Sequence, residues 1–352
     1  MHTLSSPPPA SRAAASRPPK HDWKAAVAPY AQPDVRRSVL DVLTSIVPYV
    51  LGFVGMYLLL DVSYWLTLLA AIPTAGFLLR TYIVFHDCAH GNFLPSKRGN
   101  HVLGVAAALL VYTPFSAWRH SHAVHHATAG DLDRRGEGDV PTMTVEEYRN
   151  ASWGARTVYR LTRNPIVMLG LGPIVALVIE PRIWRKGQRP RIRRSIIATN
   201  LVLVAKVAVL CVLMGWQEFL LVQMPLVWLA GGAGVWLFYV QHQFEDAYWE
   251  NTGEWDYADA ALQGSSYLRL PQPLQWFTGN IGLHHVHHLS ARIPNYRLQA
   301  AHDDLAVFHG VPVLTVRDGI RSMRLKLWCP VRGRLVTWRE AAQAPAAAAQ
   351  PA

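Results

Sequence analysis

Two runs of apolar residues, 39–60 and 64–85, are separated only by residues 61–63. Each run has about 22 residues, which at about 1.5 Å rise per residue crosses the roughly 30 Å hydrocarbon core of a bilayer. Three intervening residues leave room only for a tight hairpin. The pattern recurs at 196–216 and 219–240, joined by Gln217 and Glu218. An all-α integral membrane protein with four transmembrane helices in two hairpins is expected. Two shorter apolar stretches, 102–115 and 166–179, have Pro within or close by. At about 14 residues they read as interfacial or re-entrant helices rather than spans.

Composition agrees: 51% of the 352 residues are hydrophobic and only 16% charged, too apolar for an ordinary soluble protein of this size. The net charge of +11 would by itself suggest nucleic acid. However, the basic residues are mostly Arg in loops flanking apolar runs, so the charge reads as topology and lipid-headgroup contact, with no nucleic-acid partner. Residues 181–194, PRIWRKGQRPRIRR, carry seven basic residues and no acid, which marks that loop as cytoplasmic. Counting spans outward puts the N-terminus, residues 86–194 and everything after 240 on that same cytoplasmic side. Residues 1–35, which begin with a Pro-, Ser-, Ala- and Arg-rich stretch, are expected to be a disordered arm, residues 36–335 the membrane domain, and residues 336–352 a low-complexity tail. Cys88, Cys211 and Cys329 form no CxxC motif, so any metal chemistry belongs to histidine.

Three histidine clusters stand out on that side: HDCAH (His86, His90), HAVHH (His122, His125, His126) and HHVHH (His284, His287, His288). Residues four apart on a helix lie about 5–6 Å apart on one face, so His86 and His90 can hold one ion together. Adjacent histidines point about 100° apart, which lets one segment address two ions. His242, just past the fourth span, mirrors His86. These nine imidazoles exceed what one ion holds and suit two ions. Imidazole serves zinc, copper, nickel and iron alike. The surplus over the three or four ligands of a zinc site, together with the membrane surface, favours redox-active iron and oxygen chemistry on a lipid. His101, His302 and His309 read as ordinary surface histidines. His120 and His285 fall off the ligand pattern and read as supporting or incidental.

The stretches FHDCAHGNFLPS, WRHSHAVHHATAGDLDRRGEGDV and NIGLHHVHHLSARIPNY closely resemble the three histidine boxes of the integral-membrane fatty acid desaturases, in particular bacterial acyl-lipid desaturases of the Δ12 or omega-6 type. The resemblance spans about residues 40–300. It implies a cytoplasmic non-haem di-iron centre that uses O2 to remove two hydrogens from adjacent carbons of a lipid-linked acyl chain. The ligands it implies are His86, His90, His122, His125, His126, His284, His287 and His288, with His242 as the additional one and Asn280 as a water-mediated contact if the helix before His284 extends that far. The HxxxH spacing of the first box, His284 at the start of the third, and the absence of a fused cytochrome b5 domain favour the methyl-directed type. His285 departs from the commonest pattern and leaves the double-bond position open.

With no GxGxxG motif after a strand and no CxxC, two electrons per turnover must come from outside, from a ferredoxin or a cytochrome b5-like protein docking on a basic face such as residues 182–194. Carboxylates close in sequence to the ligands, Asp131, Asp133, Asp139, Glu245 and Asp246, are candidates to hold the far ring nitrogens. Gly231, Gly232 and Gly234 suit close helix packing or room for an acyl chain. Three other readings compete: a hydroxylase or ketolase of the same superfamily acting on an alkane, carotenoid or sterol; a histidine-rich metal transporter or sensor; and a pH sensor. A transporter calls for ionisable residues at midplane depth, whereas the spans carry few besides Lys206 and Asp41.

Overall fold

The structure is a computed structural model and describes residues 23–345. Four long helices, Val35–Leu59, Tyr64–His90, Pro190–Met214 and Trp216–His242, contain the four expected apolar runs almost entirely, each extended at one or both ends. The first starts where the side chain of Asp34 accepts the N–H of Arg37 at 3.2 Å, satisfying one of the donors a helix start leaves open. Tyr64–His90 runs past its apolar stretch and stops at Gly91, whose φ of 75° lets its N–H reach back to the carbonyls of Asp87 and Cys88. The first histidine box is therefore the end of a membrane helix.

The second hairpin turns at Gly215, with φ 92°, rather than at Gln217 and Glu218, which lie in the first turn of Trp216–His242. Glycine alone holds that backbone without strain. Polar side chains are tolerated where a helix start leaves its N–H groups unpaired.

Helices Tyr64–His90 and Trp216–His242 are 50% and 39% buried over their most apolar stretches, against 17% and 11% for the other two. The first pair is the centre of the bundle. The others flank it and turn Leu51, Leu201, Val204, Val212 and Leu213 outward. Such a contiguous apolar exterior is suited to lipid and not to water.

Neither short apolar stretch forms a straight span. Lys97–Leu110 breaks at a turn with Tyr112 at φ 55°, and Phe115–Thr128 departs at 102°. The other stretch divides into Pro165–Gly170 and a π-helical turn, Ile174–Ile179, packed on Trp216–His242. A Cβ on Gly231 would meet Leu177 Cδ1 at 2.7 Å and Pro173 Cβ at 2.9 Å, so this glycine serves close packing. The nearest such contacts at Gly232 and Gly234 are 3.9 and 4.0 Å.

After His242 the chain builds a cap of short helices and two small sheets, one pairing Tyr267–Leu268 with Val313–Leu314 and the other Leu327–Cys329 with Arg334–Val336. Residues 1–22 of the expected arm and 346–352 of the expected tail lie outside the described residues. Residues 23–35 are not disordered: Trp23–Val27 is helical, and Val27 is buried against Ala261, Leu283 and Val286. The tail is likewise structured where described. Trp338–Gln343 is a helix capped by Thr337 and Glu340, and it seats Ala341 and Ala344 against Val145 and Tyr159. Composition misjudged residues 23–35, where Val27 and Trp23 supply an apolar face that docks on the cap.

Candidate metal centre

Three helical segments and one helix end bring all nine histidines together. His86 and His90 lie one turn apart at the end of Tyr64–His90, and His242 is the last residue of Trp216–His242. His122, His125 and His126 project from Phe115–Thr128, and His284, His287 and His288 from the short helix His284–Leu289. Their ring nitrogens sort into two groups of four: His86, His90, His122 and His287, and His125, His242, His284 and His288. Within each group the ligand atoms lie within 4.8 Å of one another. The second and third boxes each serve both groups, as the 100° step between adjacent helical residues allows. His126 sits between the groups, its Nε2 3.2 Å from that of His122 and its ring stacked 4.2 Å from that of His288.

Nε2 atoms face each other at 3.1 Å (His86 and His287), 3.2 Å (His86 and His122), 3.2 Å (His125 and His242) and 2.9 Å (His242 and His284). Nitrogens about 2.0–2.1 Å from one ion stand roughly 2.9 Å apart at right angles and about 3.3 Å apart at tetrahedral angles. The spacing therefore matches shared coordination. The opposite ring nitrogens say the same. Nδ1 of His86 is 2.9 Å from Asp87, Nδ1 of His125 2.5 Å from Asp139, and Nδ1 of His242 3.2 Å from the carbonyl of Gly264. A proton held on each Nδ1 leaves the Nε2 lone pair pointing inward. Between His125 and His242, both held in this way, inward lone pairs 3.2 Å apart with no proton between them repel unless a cation lies among them. Nε2 of His90 and of His288 are buried without any hydrogen-bond partner. Burial, with the neighbouring rings adding to it, holds the imidazoles of His284, His287 and His288 well below their ordinary value. They are neutral near pH 7, the form that ligates metal. The residues fit two metal ions.

Of the five carboxylates expected near the ligands, Asp139 alone meets a ring nitrogen by a described bond. Its loop approaches through Gly138, at φ 77°, where a Cβ would stand 2.8 Å from the carbonyl of Ser121. Asp131 instead binds Arg134 and Thr252, Asp133 accepts the N–H of Thr252, and Glu245 and Asp246 face Arg334. Asp87, inside the first box, does the work on His86 and was not anticipated. The signal was an acid next to a ligand in a stretch otherwise apolar. Asn280 is not one helical turn below His284, because the helix starts at His284. Asn280 lies in a turn at φ 58° and donates its amide to the carbonyl of Asn295 at 3.2 Å. His285 turns away from both groups to His302, Nε2 to Nδ1 3.0 Å, so His302 is not a bystander. Trp118 stacks on His122 at 4.2 Å and walls the first group.

A model of the family described as fatty acid desaturase matches residues 63–315, a stretch that contains all nine histidines. The chain belongs to the fatty acid desaturase family. A protein of Bacillus subtilis (strain 168) named fatty acid desaturase is 46% identical over 313 residues, covering 89% of each chain. More distant relatives carry more specific names. The omega-6 fatty acid desaturase of soybean chloroplasts is 26% identical over 75% of this chain and 61% of its own length. The sn-1 oleoyl-lipid 12-desaturase of Synechocystis is 27% identical over 66% of each. This desaturase is thus an oxidoreductase of lipid metabolism, of a family that acts on lipid acyl chains. Transporter, sensor and pH-switch readings of the histidines fall away.

Proposed function

We propose that this desaturase introduces a double bond of the Δ12 or omega-6 type into a lipid-linked acyl chain, with two irons held by the nine histidines. The observation that carries the metal reading is the pair of four-histidine groups whose lone pairs converge. In this reading His86, His90, His122 and His287 hold one iron and His125, His242, His284 and His288 the other, while His126, between them, is the ninth ligand. Asn280, whose Nδ2 donates to the carbonyl of Asn295, stays the candidate for a water-mediated contact through its Oδ1. Iron bound there supplies the dioxygen chemistry that no side chain offers, since an unactivated methylene has no acidic proton and no polar handle.

The chain's own residues fix the rest. Asp87 and Asp139 hold ring protons on Nδ1 of His86 and His125 and keep the ligand nitrogens aimed. Trp118, backed by Phe85, and Phe238 pack against the imidazoles and keep water away. Removing two hydrogens from adjacent carbons yields two electrons and two protons, an external donor gives two more electrons, the aqueous medium gives two more protons, and dioxygen leaves as two waters. The donor is a ferredoxin or a cytochrome b5-like protein. In this reading Arg185, Lys186, Arg189 and Arg191, exposed on the basic loop, are its landing place, and the charge of that loop supports a site on the cytoplasmic face of a bacterial inner membrane.

The Δ12 assignment leans on the names of the distant relatives. Its test is expression in a host lacking polyunsaturated lipids, with mass spectrometry locating each new double bond. A diene with its new bond at Δ12 is expected. A bond elsewhere overturns the position, and a hydroxylated product overturns the reaction.

A further inference from the structure

RIPNY, the stretch that follows the third histidine box, has no ligand in it, yet its Asn295 is 2% exposed and joined to a metal-site histidine through one intermediary. The Asn295 backbone N–H donates to Asp87 Oδ2 at 2.7 Å, and its amide Nδ2 reaches the same oxygen at 3.1 Å. Asp87 Oδ1 is left to hold Nδ1 of His86. The amide nitrogen of Asn295 also donates to Asp41 Oδ2 at 2.8 Å, and the other oxygen of Asp41 pairs with Arg80, which in turn donates to the carbonyl of Trp276. Asp41, Arg80 and Asp87 come from the first membrane hairpin, whereas Asn295 comes from the cap.

We propose that Asn295 is a positioning residue for one metal site only, the His86, His90, His122 and His287 group. The inference rests on the two-metal reading above. Of the two buried carboxylates, Asp41 pairs with Arg80, whereas Asp87 meets His86 and Asn295 and no full positive charge among the described residues, which leaves one negative charge in surplus. Buried charge needs a partner, and the cation at the histidine group is the one within reach, through His86. Asn295 stands between the two carboxylates, donates to both, and stops them from repelling each other out of place. Because it fixes which Asp87 oxygen is free, it fixes the orientation and tautomer of His86. Among the described residues no such bond ties it to the second group, whose carboxylate, Asp139, is held by the N–H of Gly136 at 3.2 Å.

The test counts metal, not turnover. Full-length protein in detergent is titrated with iron(II) or cobalt(II), and retained ions are measured by elemental mass spectrometry. Wild type is expected to hold two. Asn295→Ala should weaken one ion by about 10- to 100-fold and leave the other, the usual range for losing an outer-shell partner. Asp139→Asn should weaken the remaining ion, so that the double variant with Asn295→Ala holds neither tightly. If Asn295 acts through Asp87, Asn295→Ala should add little to Asp87→Asn. Should Asn295→Ala not fold, Asp87→Asn compared with Asp139→Asn carries the same single-site prediction. Two tight ions in Asn295→Ala, equal weakening of both, or full additivity with Asp87→Asn overturns the positioning role. Fewer than two ions in wild type overturns the two-metal reading itself.

Discussion

His285 separates a histidine that happens to lie in a histidine box from one whose ring nitrogen joins a four-histidine group. It is fully buried, yet its ring faces His302, Tyr267 and Phe308, 5.0, 6.0 and 5.5 Å away between ring centres, rather than the metal groups. Burial, with His302 adding to it, pushes its imidazole down to about 3 from 6.5, so it is uncharged at pH 7. His285→Leu therefore removes no charge and keeps most of the volume. What is lost is one neutral hydrogen bond, about 0.5–1.5 kcal/mol. Its other end, His302, is partly exposed, so water can replace the partner. His285→Ala empties the space as well and should cost about 2–4 kcal/mol, within the range of large-to-small core changes. In His287→Ala, by contrast, one group loses a ligand, and with it tight binding of that ion and double-bond formation. Metal analysis, fatty acid profiling and thermal unfolding in detergent compare the three. Retention of only one ion by His285→Leu, or no product from it, would refute the assignment.

Gly138→Ala forces a side chain into the left-handed region, at about 1–2 kcal/mol, and against the carbonyl of Ser121. It should displace Asp139 from His125 and weaken the same ion as Asp139→Asn, read by metal titration. Arg80→Met leaves Asp41 buried without its cation and should cost about 3–5 kcal/mol in thermal unfolding. Asp41→Leu added to it should restore part of that loss, and a further loss would refute the pairing. Glu340, held by Thr337 and Arg334, has its carboxyl lowered to about 2 from 4.5. A depressed acid stabilises the folded state above its unfolded value and loses that contribution as pH falls through the folded one. The docked helix Trp338–Gln343 should thus become open to pepsin between about pH 4.5 and 2, and Thr337→Ala should move that opening to higher pH.

Much of this was readable from the chain because two of its signals are periodic. Membrane crossing shows as runs of fixed length, and ligand pairing as three- and four-residue steps, so the four helices and the nine histidines are found where expected. The ends of elements obey other rules. Gly215 sets the second hairpin turn because φ of 92° excludes most residues, and no hydropathy pattern marks it. Side-chain partners were the least legible. Asp87 is adjacent to His86, and helical geometry points neighbours 100° apart, yet an acid short enough to turn back can reach its neighbour's Nδ1. Asp131 and Asp133, equally close to a box in sequence, are taken up by loop closure with Thr252 and Arg134. Asn295 could not be inferred, since its partners lie 208 and 254 residues away.

That His86 and His287 face each other across 201 residues of sequence has a consequence for biosynthesis. Neither group can close until the third box has left the ribosome and both hairpins have been inserted. Nascent or truncated chains ending before His284 offer incomplete cages, with nitrogens too few to retain an ion against the metal-buffering thiols of a cell. Metal capture is then a late event of assembly, and metal occupancy reports whether synthesis passed the third box.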